Sequence, residues 1–540
     1  MDVYPRSGKD SQPFGFAPSL LFEGSDGQWS TFVVRVGTPA QTFRVMISNE
    51  SHETWVPATE ACTSSENPKC SDLRGIQPFQ NEPSTGFKTN QSSTWEAVSF
   101  YELGLEDSIN LSGSGQYGYE TVGLGIQNSG GLTMNHSIVA GIATNNYMFG
   151  LLGLNPKPTN FTDFNDPQPS LLSLLHSQSM IPSLSYSYSA GAYYRRSLGA
   201  LTLGGFDSEQ FTVNKTLNLE LESRVMMIGL QSIEASNTPT GAASLLDTAI
   251  MAPIDSTIPE LWLPASACDK FEAAFGLQYD NATQRYILND TVHTQLKQLN
   301  PTITIKIGKT VNGGASTNIV FPYAAFDHQI SYPIYPNATN YFPIRRADNS
   351  TQYNIGRVFL QEAYFMVDYE RNSFTITQRS FEDNKSTKIV PILSAGSPSE
   401  SSNASPSENP AKDSIRLSRG AMVGIGVAVT LTVGILVAVT GFFCLRRISR
   451  QREERRTNEQ SSVMRRGSTK DPKLEIAEIG AKEEVHEVHG QACAYEMDNG
   501  MVQELGGVEM RAELEGGYDV GASCEPSALR KPPVRYSWQD

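Results

Sequence analysis

Cysteine is scarce in this chain. Its 540 residues hold six (Cys62, Cys70, Cys268, Cys444, Cys493 and Cys524), and no two of them form a CxxC pair. Zinc-ribbon and thioredoxin-type motifs are therefore excluded. The seven histidines show no ligand spacing with cysteine, so neither a structural metal nor a cofactor is expected. Positive charge is short as well. With 42 Lys and Arg against 57 Asp and Glu the formal net charge is −15, and the first 400 residues present no basic face interleaved with aromatics. A nucleic-acid partner would need the opposite balance. An apolar run is missing from the N-terminus too: "MDVYPRSGKDSQPFGFAPSL" has no signal-peptide core. The features below call for secretion, so a signal peptide is expected to precede Met1.

One long apolar run does occur, at 421–445, "AMVGIGVAVTLTVGILVAVTGFFCL". As a helix it would measure about 37 Å, enough to cross a bilayer with some tilt. "RRISRQREERR" follows it and is far more basic than the "SIRLSRG" before it, which puts the C-terminus in the cytosol. All twelve N-x-S/T sequons precede the span, at Asn49, Asn90, Asn110, Asn135, Asn160, Asn214, Asn281, Asn289, Asn337, Asn349, Asn384 and Asn403. That asymmetry fits a glycosylated lumenal or extracellular region. The expected protein is a single-pass type I membrane protein, at the plasma membrane, whose tail has an unknown cytosolic partner.

Five segments follow from composition: an N-terminal extension 1–19, a globular region 20–393, a Ser/Pro-rich stalk 394–419, the span 420–445, and a polar, disordered tail 446–540. Within 20–393, short runs rich in β-branched and aromatic residues recur every 8–12 residues between Gly, Asn and Pro, the pattern of an all-β core. Only "SLLSLLHSQ" (170–178) and "ACDKFEAAFG" (267–276) carry helical spacing. Cys62 and Cys70 bracket a polar loop and are expected to close a small disulfide, two free thiols being the alternative; Cys268 is expected to be a buried free thiol.

A duplicated string carries the functional information. "VMISNESHETWVP" (45–57) places Trp55-Val56-Pro57 seven residues after Ser48, and "APIDSTIPELWLP" (252–264) places Trp262-Leu263-Pro264 seven residues after Asp255. An apolar strand, a tight turn and a Trp-x-Pro exit thus occur twice, 207 residues apart. Two similar β lobes, about 20–210 and 211–393, facing one cleft would bring the two turns together. In such a cleft a pair of carboxyls shares one proton: the ionised member activates water and the protonated one donates to a peptide carbonyl. A serine hydroxyl can fill neither role.

These strings resemble the pepsin-type aspartic proteases, family A1, over about residues 28–380. "WSTFVVRVGTPAQTFRVMIS" is similar to the family's opening strands, "FGLLGL" (149–154) to the strand beneath its first catalytic turn, and "NIGRVFLQEAYFMVDYERNSFTIT" (354–377) to the end of its second lobe. The sequons, stalk and span resemble the surface-anchored fungal branch. The resemblance implies a bilobal pepsin-like fold and maps the second D-[TS]-G turn onto Asp255-Ser256-Thr257. Asp255 is the retained catalytic aspartate, Ser256 braces the turn, and Thr257 stands where the family has glycine. The first turn maps onto Ser48-Asn49-Glu50-Ser51, with Ser48 at the place of the lost aspartate. Asp247, fifteen residues before Trp262, fits the spacing less well. The family's flap tyrosine has no clear counterpart in "NLSGSGQYGYETVGLG" (110–125); Tyr117 and Tyr119 are the candidates, for the cleft or for packing on the neighbouring strand. Glu50 would ordinarily point away from the dyad, and a Ser48–His52 pair lacks a third, orienting group.

The expected function is that of a catalytically impaired aspartic protease homologue able to bind an extended peptide along its cleft. The rival readings are an active surface endopeptidase with an atypical dyad and a structural wall-associated protein.

Overall fold

The computed structural model describes residues 11–63, 67–161, 165–212, 215–382 and 386–396. The expected span, the tail, most of the stalk, and Asn214, Asn384 and Asn403 lie outside these residues. Among the described residues no helix is long and apolar enough to cross a membrane.

The described chain is mostly β with few helices. Alternation of side chains across a strand dictates much of it. In Thr302–Gly308, "TITIKIG", the three isoleucines are buried while Lys306 faces solvent. The two helical patterns become helices Leu171–Ser177 and Ala265–Phe275. Ser170 caps the first by accepting from the Ser173 amide, and Gly276, in the left-handed region at φ 71°, ends the second. A further helix, Asp290–Leu299, is capped by Asn289, whose side chain accepts from the Val292 amide at 2.9 Å.

An eight-stranded sheet builds the first half, and smaller sheets of five, four and three strands build the second. A six-stranded sheet ties them together: Ser185–Ser189 from the first half pairs antiparallel with Ala363–Asp368 from the second. One buried apolar cluster runs through both halves.

The duplicated strings adopt one topology twice. Strand Gln41–Ser48 runs parallel to Gly150–Gly153, and Thr54–Pro57 pairs antiparallel with that same strand while running parallel to Thr133–Ile142. In the second half Ile254 bridges in parallel to Ile355, and Leu261–Pro264 pairs antiparallel with Asn354–Ile355 while running parallel to Ile344–Ala347. Each turn is thus threaded by a strand between its arms. Glycine is obligatory at that crossing: a Cβ on Gly153 would lie 2.5 Å from the Ser51 carbonyl oxygen, and one on Gly356 would lie 2.1 Å from that of Glu260.

Candidate functional site

The first turn leaves strand Gln41–Ser48 at Ser48, whose carbonyl accepts from the Leu154 amide at 2.9 Å. The second leaves Ile250–Pro253, and the Asp255 amide donates to the Ile355 carbonyl at 3.0 Å. The turns then bond to each other reciprocally. Ser256 Oγ accepts from the Asn49 amide (3.0 Å) and donates to the Ile47 carbonyl (2.8 Å). Asn49 Oδ1 accepts from the Ser256 amide (2.6 Å), and its Nδ2 donates to the Ile254 carbonyl (2.7 Å). The Asn49 carboxamide therefore performs, from the first lobe, the donor and acceptor roles that the Ser256 hydroxyl performs from the second. Arg357, 3% exposed, fastens the second turn from below by donating to the carbonyls of Ser256 (3.0 Å) and Thr257 (2.8 Å).

The side chains at the reactive level are Ser48, Thr257 and Asp255, all buried. Ser48 Oγ accepts from the Ser51 amide at 2.8 Å and shares a hydrogen bond of 2.7 Å with Thr257 Oγ1. The two departures from the family pattern thus meet: the hydroxyl gained at Thr257 partners the hydroxyl left at Ser48. Neither Glu50 nor Thr257 has a left-handed backbone, so their Cβ atoms are carried without that strain. Asp255 Oδ1 accepts from the Thr257 amide (2.8 Å) and Oδ2 from Asn354 Nδ2 (3.3 Å).

Two further carboxyls approach Asp255. Glu50 Oε1 accepts from Asn49 Nδ2 at 2.9 Å, and burial together with the Asp255 charge lifts Glu50 to about 8, against the pull of Lys157. Glu106 comes from the other side of the cleft. It is 5% exposed. Burial holds Glu106 well above the usual carboxylate range, reinforced by the neighbouring Asp255 carboxyl and by the charges of Glu50 and Asp107.

Glu106 sits at the tip of a hairpin formed by Glu96–Glu102 and Ser114–Leu124. The tip turns through Asp107–Ile109 and closes at Asn110, in the left-handed region at φ 61°. It crosses to the second lobe, where Ile109 is buried with Ile258, Trp262 and Ala347, and Ser108 accepts from Gln352 Nε2 at 2.8 Å. Leu111, Tyr147, Thr257, Ile258 and Trp262 line the recess beside it. Sequence reasoning missed Glu106, Gln352, Asn354 and Arg357. The available signal was the run Leu105-Glu106 and Ile109–Leu111, acidic and apolar within an otherwise Gly- and Ser-rich flap.

The remaining candidates are placed as follows. Tyr117 is buried in the first lobe and donates to Glu53 Oε2 (2.8 Å); Glu53 also accepts from Trp55 Nε1 (2.9 Å) and Thr159 Oγ1 (3.0 Å). Tyr119 stacks on His136 with ring centroids 4.1 Å apart. Removing the Tyr117 hydroxyl leaves Glu53 one donor short, so Tyr117→Phe is expected to lower stability by about 1–2 kcal/mol, measured by urea unfolding. His52 faces Glu53 at 3.6 Å. Asp247 is exposed and paired with Lys270. Cys62 and Cys70 are disulfide-bonded, and Cys268 is buried and free, its thiol pushed up to about 12 by burial. Asn90, Asn110, Asn135, Asn160, Asn281, Asn289, Asn337 and Asn349 are exposed, whereas Asn49 is buried. Among the described residues no group of three or more His, Cys, Asp and Glu is placed to hold a metal ion.

No curated protein matches the chain. The family model described as "Eukaryotic aspartyl protease" matches residues 31–379, well over half of the sequence. With its doubled strand–turn–strand topology and reciprocally bonded turns, the chain belongs to the eukaryotic aspartyl protease family.

Proposed function

We propose that this is a catalytically impaired aspartic protease homologue, anchored in the membrane, that binds peptides along its cleft without hydrolysing them. The observation that carries the reading is the 2.7 Å hydrogen bond between Ser48 Oγ and Thr257 Oγ1. Where acid-pair hydrolysis needs a second carboxyl on the cleft floor, two hydroxyls satisfy each other. Neither can act as base, and Ser48 has no base within its bonding partners. Peptide binding does not depend on that pair, because an extended chain is held through its backbone. Eight exposed sequons and the single long apolar run at 421–445 support a glycosylated, membrane-anchored protein.

One observation favours an active enzyme with an atypical dyad: Glu106 gives Asp255 a second carboxyl partner.

The test uses the full-length chain in detergent and casein as an unstructured substrate between about pH 3 and 6, the range in which a carboxyl pair holds one proton. The expected result is no cleavage by the wild type, with activity appearing when Ser48→Asp, Asn49→Thr and Glu50→Gly are combined. Wild-type cleavage that a statine-type inhibitor blocks and Asp255→Ala abolishes overturns the reading. If Glu106→Ala abolishes it too, the atypical dyad stands in its place.

A further inference from the structure

Three arginines, Arg285, Arg345 and Arg357, and two carboxylates, Asp26 and Glu260, line the recess beside the second turn. Two of the arginines face a carboxylate. Arg285 Nε lies 3.0 Å from Glu260 Oε1, and Arg357 Nη2 lies 3.7 Å from Asp26 Oδ2 while its Nη1 holds the turn. Arg345 is left over. It is 8% exposed, and its Nη2 donates to a neutral acceptor, Gln284 Oε1, at 2.7 Å. Among the described residues no carboxylate is paired with it; Glu260 and Asp348 act on it from beyond pairing distance, and burial, with the Arg285 charge, lowers it to about 10. Strand register fixes its place. Leu261–Pro264 runs parallel to Ile344–Ala347 with Trp262 opposite Arg345, and the guanidinium lies 4.2 Å from the centre of the indole ring. That contact positions the cation without neutralising it.

Two buried donors on this same wall, the Arg345 Nε–H and the Trp262 indole N–H, have no acceptor. An unpaired buried cation and unmet donors each cost free energy that a bound anion recovers. The recess also limits which anion. It leaves about 90 Å³ of free space, and Glu260 stays on its wall. A phosphate or other dianion would meet that fixed negative charge, whereas a single small carboxylate needs to face only Arg345.

We propose that this recess binds a carboxylate, from an acidic side chain or the free end of a peptide in the cleft, and that Arg345 and Trp262 select it. The inference rests on the peptide-cleft reading only for the source of the carboxylate. Leu111 of the flap, Tyr147 of the first lobe and Thr257 of the second turn all border the recess, so a chain lying between the lobes passes it. Arg345 and the indole N–H donate, and the carboxylate oxygens accept. Glutamine or asparagine in the same place leaves the cation unpaired, so acid is chosen over amide by charge rather than by shape.

Isothermal titration of the full-length chain in detergent, near neutral pH and at fixed ionic strength, tests this with three capped residues. Nα-acetylglutamate N-methylamide carries one side-chain carboxylate, its glutamine counterpart carries none, and Nα-acetylalanine carries only a chain-end carboxylate. The wild type is expected to bind at least one carboxylate probe about tenfold or more tightly than the glutamine probe, and the tighter of the two identifies side chain or chain end as the source. Arg345→Met keeps a stem over Trp262 and removes the cation, and should weaken that probe by about tenfold or more. Arg346→Met is the control: its guanidinium is paired with Asp269 and Glu272, so binding should match the wild type. Trp262→Phe keeps a ring and removes the N–H; it should weaken the probe about threefold or more, and it decides the matter should Arg345→Met not fold. Equal binding of acid and amide probes, no binding of either acid at millimolar concentration, or undiminished binding in Arg345→Met overturns the assignment. Single capped residues cannot pair along the cleft as a strand does, so failure here is distinct from failure of the peptide-binding reading, which longer neutral peptides still test.

Discussion

Asn49→Ala is expected to destabilise the described domain by about 3–5 kcal/mol, because it orphans two buried backbone groups at once. The Ser256 amide loses its acceptor and the Ile254 carbonyl its donor, at a junction that water does not reach. Asn49→Thr should recover most of that loss. The Ser256 hydroxyl already shows that one oxygen can accept from the opposing amide while donating to the opposing carbonyl. A threonine at 49 would repeat that arrangement from the other lobe. Chemical denaturation of the two variants side by side makes the comparison clean, since both remove the Asn49-Glu50-Ser51 sequon equally. Matching losses in the two would mean that the reciprocal bonds carry no stability of their own. The Asn49 amide nitrogen is also the atom a glycan would occupy, and in the folded chain it is committed to Ile254 and Glu50.

The junction was legible in the sequence because it is a repeat. The Trp-x-Pro exits at 55–57 and 262–264 fixed the spacing of both turns, and spacing is what brings Ser48 and Asp255 to corresponding places on two crossing strands. What the repeat could not supply were the partners contributed by one lobe alone. Glu106 reaches Asp255 only because the flap tip folds back through Asp107–Ile109, and a pattern of Gly, Ser and Asn reads as an undifferentiated turn. Gln352 ends a short 3-10 turn, Ser350–Gln352, and Asn354 follows it, in a stretch that carries no periodic signal. Arg357 lies within the stretch that resembles the family, yet its bonds to the Ser256 and Thr257 carbonyls depend on the threading of that strand between the arms of the second turn. Helix Asp290–Leu299 escaped for a simpler reason: Leu296 is its one buried residue, so its sequence, "DTVHTQLKQL", shows little apolar periodicity.

The stability of the folded domain is expected to fall by about 2–4 kcal/mol as pH rises from 4.5 to 8, through Glu50, a figure reduced from the full linkage value because this residue is only partly covered. Its carboxyl is raised from 4.5 to about 8 in the folded chain. The contribution is therefore complete below the unfolded value and lost as pH climbs through the folded one. Histidines work in the opposite sense at the acid end. Burial lowers His328 to about 4 and lowers His52 also, so each contributes stability above its ordinary value that is lost as pH falls. The whole curve thus has an interior maximum, and the useful measurement is the difference between wild type and Glu50→Gln by urea unfolding at each pH. Glutamine keeps an oxygen for Asn49 Nδ2 and removes the titration, so the difference should grow steadily in favour of the variant above pH 5. A flat difference would mean that neither burial nor Asp255 raises the Glu50 carboxyl in the folded chain. Glu50 is fixed in a turn whose bonds reach both lobes, and it can be relieved only by unfolding them.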